Sequence, residues 1–122
     1  MLRALVLILT IVAGLPASAD VRLLMIEQPG CAHCARWDAE VAPIYPKTQE
    51  GRTAPLERIQ LRGPYPEDVS LARAPVFTPT FILVRDGQET GRIEGYPGED
   101  FFWGLLGQML ADTGGNTGKA AP

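Results

Sequence analysis

The stretch Val21-Arg22-Leu23-Leu24-Met25-Ile26-Glu27-Gln28-Pro29-Gly30-Cys31-Ala32-His33-Cys34 decides the fold of this chain. Val21 to Ile26 is a short apolar run fit for a buried strand, and Gln28-Pro29-Gly30 ends it. From about Cys31 to Val41 the chain reads as a helix, because Cys34, Trp37 and Val41, with Tyr45 beyond, follow the three-and-four spacing of a buried helical stripe. Pro43 and Pro46 kink or end that helix. The only two cysteines and the only histidine therefore sit where a strand gives way to a helix.

That placement has chemical consequences. No Ser, Thr, Asp or Asn occupies the cap position, so the Cys31 sulfur is free to accept the unpaired N–H groups of the first helical turn. Hydrogen bonds to the charged form and the helix dipole both favour thiolate, the reacting species. Cys31 is thus the expected nucleophile, and Cys34, one turn further in and facing the core, the expected resolving thiol. His33 lies between them, and when protonated it would stabilise the Cys31 thiolate; the plainer alternative is an exposed histidine without consequence.

Three other uses of the motif compete with redox chemistry. A purely structural disulfide gains little from so short a loop. A structural zinc site needs four ligands, and only Cys31, His33 and Cys34 are at hand. A Cu(I) site of Cys31, Cys34 and Met25 remains open. No cofactor and no resident metal is expected.

Outward from the motif, Leu56 to Leu61 alternates as a second strand, and Gly63-Pro64 turns the chain into a short helical stretch around Glu67 to Arg73. Thr80 to Val84 reads as a third strand, and Asp86-Gly87 as a hairpin into a fourth, about Glu89 to Glu94. A last helix opens on Glu99 and Asp100, acids suited to its positive end, with Phe102, Leu105, Leu106, Met109 and Leu110 on its buried face. Phe101 and Trp103 fall partly outside that face and are expected to pack against a sheet edge or loop rather than dock a partner. Gly91 and Gly95 read as bulge and turn residues, Gly104 and Gly107 as points of close helix–sheet packing, and Asp38 and Glu40 as a solvated helix face.

The two ends read differently. Residues 1–19 form an export signal: Arg3 gives the positive start, Ala4 to Gly14 the apolar core, and Leu15-Pro16-Ala17-Ser18-Ala19 the cleavage site. The apolar run is shorter than the roughly 20 residues of a membrane span. Residues 20–112 then make one small domain, and the Thr/Gly/Asn/Lys/Ala tail at 113–122 has nothing to bury and is expected to be disordered. With a formal net charge of −3 and no basic cluster, nucleic acid is excluded as a partner.

Cys31-Ala32-His33-Cys34 after an apolar strand, Phe77-Thr78-Pro79-Thr80 further on and a closing hairpin and helix together resemble the thioredoxin superfamily. The flanks Glu27-Gln28-Pro29-Gly30, Ala35-Arg36-Trp37-Asp38, Gly91 to Gly98 and Phe101-Phe102-Trp103 are most similar to the periplasmic thioredoxins of bacterial sulfur-oxidation systems. The resemblance implies an α/β fold, a mixed four-stranded sheet with helices on both faces in the order β-α-β-α-β-β-α. It also implies a cis Pro79 facing a redox-active Cys31–Cys34 disulfide, with Thr78 and Pro79 holding the backbone of a substrate segment. Without it, Thr78-Pro79 would read only as the start of an edge strand.

Thioredoxins proper carry a buried acid where this chain has Met25, so the Cys34 proton must pass to water, Glu27 or another group. The implied protein is an exported, periplasmic, monomeric reductase of partner-protein disulfides. Its partners would be a cysteine-containing periplasmic substrate such as a sulfur-carrier complex and a membrane thiol relay as electron donor. The alternatives are a dithiol oxidase that introduces disulfides, which His33 favours, and a non-catalytic Cu(I)-binding module.

Overall fold

In the computed structural model, which describes residues 20–112 and the isolated Gly14, the apolar run becomes β1 (Val21–Glu27) and the cysteine segment α1 (Ala32–Glu40). A 3-10 turn over Tyr45–Lys47 and the short α2 (Gln49–Thr53) follow. Then come β2 (Leu56–Gln60), β3 (Thr80–Arg85), β4 (Gln88–Glu94) and α3 (Glu99–Ala111). The proposed export signal, Gly14 apart, and the proposed disordered tail lie outside the described residues. Among the described residues no helix is long and apolar enough to cross a membrane.

The sheet is mixed and four-stranded, in the order β2-β1-β3-β4. β1 runs parallel to β2 and antiparallel to β3, and β3 runs antiparallel to β4. Leu23 to Ile26 and Phe81 to Val84 are fully buried because β1 and β3 are the inner strands and are covered on both faces. Asp86 and Gly87 both adopt positive φ, 50° and 80°, as a two-residue hairpin requires. Beside Gly91 the β3–β4 register shifts, which is the expected bulge.

The expected element order is corrected in one place: the second helix precedes β2, and no helix forms around Glu67 to Arg73. Ser70 is drawn instead into a bridge with Gln88, its N–H donating to Gly87 O at 2.7 Å and its carbonyl accepting from Glu89 N–H at 3.1 Å. Backbone groups committed to the hairpin cannot also close helical turns. Leu61, Tyr65, Val69 and Leu71 of this irregular segment cover Leu24, Ile26, Ile59, Ile82 and Val84. The opposite face carries Leu23, Met25, Phe81, Leu83 and Ile93 against Cys34 and Trp37 of α1 and Phe102 and Leu106 of α3. Helices on both faces were expected; α1 and α3 share one, and irregular chain covers the other.

Side chains on α3 depart from expectation at several points. Phe102 and Leu106 are buried, Met109 and Leu110 half-buried, and Leu105 is 39% exposed. Trp103 stacks on Tyr45 with ring centroids 6.0 Å apart, whereas Phe101 stays exposed. Gly104 and Gly107 face open space, so close packing does not explain them. The tight glycines are elsewhere. A Cβ on Gly91 would lie 2.6 Å from Met109 Sδ, and one on Gly51 only 1.8 Å from the Tyr45 carbonyl oxygen.

Tyr96 ties the loop after β4 to α1 by donating to Glu40, which also accepts from Arg36. Glu40 is therefore no free solvated acid; the Tyr96 hydrogen bond, then Arg36, hold its carboxyl below the usual range. Burial, and next the bond to Glu40, push Tyr96 up to about 12, and burial raises Tyr45 and Tyr65 as well. The folded state thus keeps phenol protons that the unfolded chain loses from the ordinary value of 10. The contribution of the tyrosines should be constant from neutral pH up to that value and fall as pH rises toward 12. Denaturant midpoints across this range would check it, and a midpoint flat to pH 12 would contradict it.

Candidate active site

Gly30 at φ 78° turns the chain off β1, and Cys31 follows as the N-cap of α1 in extended geometry, φ −78° and ψ 104°. Its Sγ accepts a hydrogen bond from the Cys34 N–H at 3.1 Å. The cap that the sequence left to sulfur is made by sulfur. Cys31 and Cys34 are joined in a disulfide with Cα atoms 5.2 Å apart. Cys34 is only 5% exposed and belongs to the core, while Cys31 is half-buried and reaches solvent. His33 is exposed.

The segment Phe77 to Thr80 meets this site for a topological reason. β1 and β3 are antiparallel neighbours with Ile26 opposite Thr80, so the chain leaving β1 toward Cys31 and the chain entering β3 through Pro79 lie at one end of the sheet. Gln28 Nε2 donates to Thr78 Oγ1 at 3.0 Å and joins the two loops. The Thr78–Pro79 bond is cis. Thr80 Oγ1 donates to Phe77 O at 2.7 Å, and Gly95 N–H to Pro79 O at 2.7 Å. Pro75 and Pro79 are buried, whereas Val76 and Phe77 between them are 76% and 46% exposed.

Behind the disulfide a cleft of about 540 Å³ is lined by Glu27, Gln28, Cys31, Cys34, Asp38 and Gln60, among others. Arg58 of β2 bridges two carboxylates there, Glu27 at 2.7 Å and Asp38 at 2.8 Å. The hydrogen bond Arg58 donates to Asp38, more than the one it donates to Glu27, raises the guanidinium above its usual value against its partial burial. Asp38 is therefore paired, not simply solvated. Arg58 also approaches Met25 Sδ at 3.7 Å, and Met25 itself is fully buried. A cation already faces that sulfur, which disfavours it as a ligand for Cu(I). Among the described residues no group of three or more metal-ligating side chains comes together.

The sequence-identified residues thus fall at this end of the sheet, Cys31, His33 and Cys34 at the start of α1 and Thr78 and Pro79 in the loop entering β3. Sequence reasoning missed Gln28 as the link to Thr78 and Arg58 as the cation that pairs the cleft residues Glu27 and Asp38. Arg58 stands opposite Met25 in the β1–β2 register, a signal visible only once the pairing is known.

No family model and no curated protein matches the chain. Among solved structures it is similar to the periplasmic thioredoxin SoxS from Paracoccus pantotrophus, in the reduced form. The two are 59% identical over 75% of this chain and 97% of that chain, with a TM-score of 0.74.

Proposed function

This chain belongs to the thioredoxin superfamily, alongside SoxS, and is a thiol–disulfide oxidoreductase; from that premise we propose that it is exported to the periplasm and works there mainly as a reductase of partner-protein disulfides. The Cys31 thiolate attacks one sulfur of the partner's disulfide, and the other sulfur leaves as a thiolate that takes up a proton. Cys34, having lost its proton, then attacks Cys31 Sγ, closes the Cys31–Cys34 disulfide and releases the partner's second thiol. Two electrons pass to the partner. A reduced dithiol, expected from a thiol relay across the membrane, restores the pair.

One observation carries the assignment of roles. Only Cys31 combines access to solvent with the hydrogen bond at the helix start, while Cys34 is buried beneath it. Thr78 and Pro79 are assigned to the partner's backbone, as a segment laid alongside in extended form. The resemblance to sulfur-oxidation thioredoxins makes a sulfur-carrier protein the substrate class we favour.

His33 is assigned to thiolate tuning: when protonated, it would stabilise the Cys31 thiolate and so favour the reduced form. The reduction potential tests both the direction and this role. A reductase should lie near or below about −220 mV, an oxidase near about −120 mV. His33→Ala should raise the Cys31 pKa and make the protein more reducing, by on the order of 30 mV. A wild-type potential in the oxidase range would overturn the reductase reading. A potential and thiolate titration unmoved by the substitution would leave His33 without a role.

A further inference from the structure

Arg92 and Glu89 on β4 form a two-pronged ion pair, Nε to Oε2 at 3.0 Å and an Nη2 bond to Oε1 at 2.7 Å. Their side chains are only 7% and 8% exposed. Burying two charges gives little net stability, so a pair in this setting is better explained by the geometry it imposes. The geometry here concerns the chain in front of the active-site loop. The second Arg92 nitrogen also donates to Arg73 O at 2.7 Å, and Glu89 Oε1 accepts from the Ala72 N–H at 3.1 Å. Arg73 itself pairs with Glu94. Ser70 is bridged to Gln88.

Residues 70–73 form no helix, so their backbone bonds to β4 take the place of internal ones. They lead directly into buried Pro75, exposed Val76 and Phe77, and Thr78-Pro79. At its far end this loop is held by Gln28 and Gly95. At its near end it is held by the ion pair.

We propose that the Arg92–Glu89 pair is a positioning device. It fixes the near end of the Pro75–Pro79 loop so that exposed Val76 and Phe77 stand at the active-site end of the sheet as an apolar rim for an extended partner segment. The inference rests on the substrate-holding role given above to Thr78 and Pro79. Neither Arg92 nor Glu89 touches the reacting sulfurs; both act through the loop.

The test compares Arg92→Met/Glu89→Met, which removes both charges and leaves no buried charge unpaired, with Arg92→Lys, which keeps the charge and loses the fork. Insulin serves as the protein disulfide and hydroxyethyl disulfide as the small one. In the double variant KM for insulin should rise about tenfold, with kcat and the hydroxyethyl disulfide rate within about twofold of wild type. Arg92→Lys should recover part of the loss. Amide exchange at Ala72 should quicken in the double variant. An unchanged insulin KM in the folded double variant, or equal losses on both substrates, would overturn the proposal. Wild-type protein that reduces hydroxyethyl disulfide but not insulin would count against the reductase reading alone. The positioning role would then stand or fall on whether exchange at Ala72 and Thr78 quickens in the double variant.

Discussion

Replacing Cys31 by Ser is expected to abolish disulfide reduction, lowering the rate by at least about a thousandfold, while the fold persists. A serine hydroxyl remains protonated at neutral pH and forms no disulfide, so the first sulfur–sulfur exchange has no nucleophile. Stability should change little for two reasons. Serine is among the best N-cap residues, so the bond from the Cys34 N–H survives with oxygen as its acceptor. The lost disulfide spans a sequence separation of 3, too short a loop to constrain the unfolded chain strongly. Insulin turbidity and thermal melts would check the two halves. Reduction that survives the substitution would contradict the mechanism.

Cys34→Ser should have the opposite signature. Cys31 still attacks, but the step that closes the Cys31–Cys34 disulfide is missing, so a covalent complex accumulates instead of turning over. Multiple turnover should cease and a stoichiometric mixed disulfide should appear on a non-reducing gel, released by added thiol. A complex formed by Cys31→Ser protein and not by Cys34→Ser protein would show that the sulfur roles are reversed. The burial of Cys34 at 5% exposure argues against that outcome.

What could be read from the sequence is what local chemistry writes. The apolar run of β1, its Gln28-Pro29-Gly30 stop, the sulfur-capped start of α1 and the Asp86-Gly87 hairpin are each set by neighbours along the chain, and each appears in the structure. Residues 67–73 were misread because their fate is decided by β4: Ser70 bonds to the hairpin, and Ala72 and Arg73 to the Glu89–Arg92 pair. A helical pattern of seven residues has little to set against such long-range bonds. α2 was missed although its cap was visible, since Thr48 Oγ1 accepts from the Gly51 N–H. Gly51 and Thr53 are poor helix formers, and the helix depends on Gly51 lying against the Tyr45 backbone.

At the site the division is the same. Cys31, His33 and Cys34 share one local motif, and Thr78-Pro79 came from resemblance. The Gln28–Thr78 link and the Glu27–Arg58–Asp38 bridge join residues 50, 31 and 20 positions apart. No window of sequence contains them. The glycines show the converse error: Gly104 and Gly107 were given a packing role that belongs to Gly91 and Gly51.

The central claim, that Cys31 delivers electrons to a particular periplasmic partner, is tested most directly by mass spectrometry of complexes trapped by Cys34→Ser protein in a periplasmic extract. The account predicts a dominant complex linked from Cys31 to a cysteine of a sulfur-carrier protein. A broad set of folding intermediates linked through Cys31 would contradict it in favour of a disulfide-forming oxidase, and the absence of any covalent partner would contradict the redox role in this compartment.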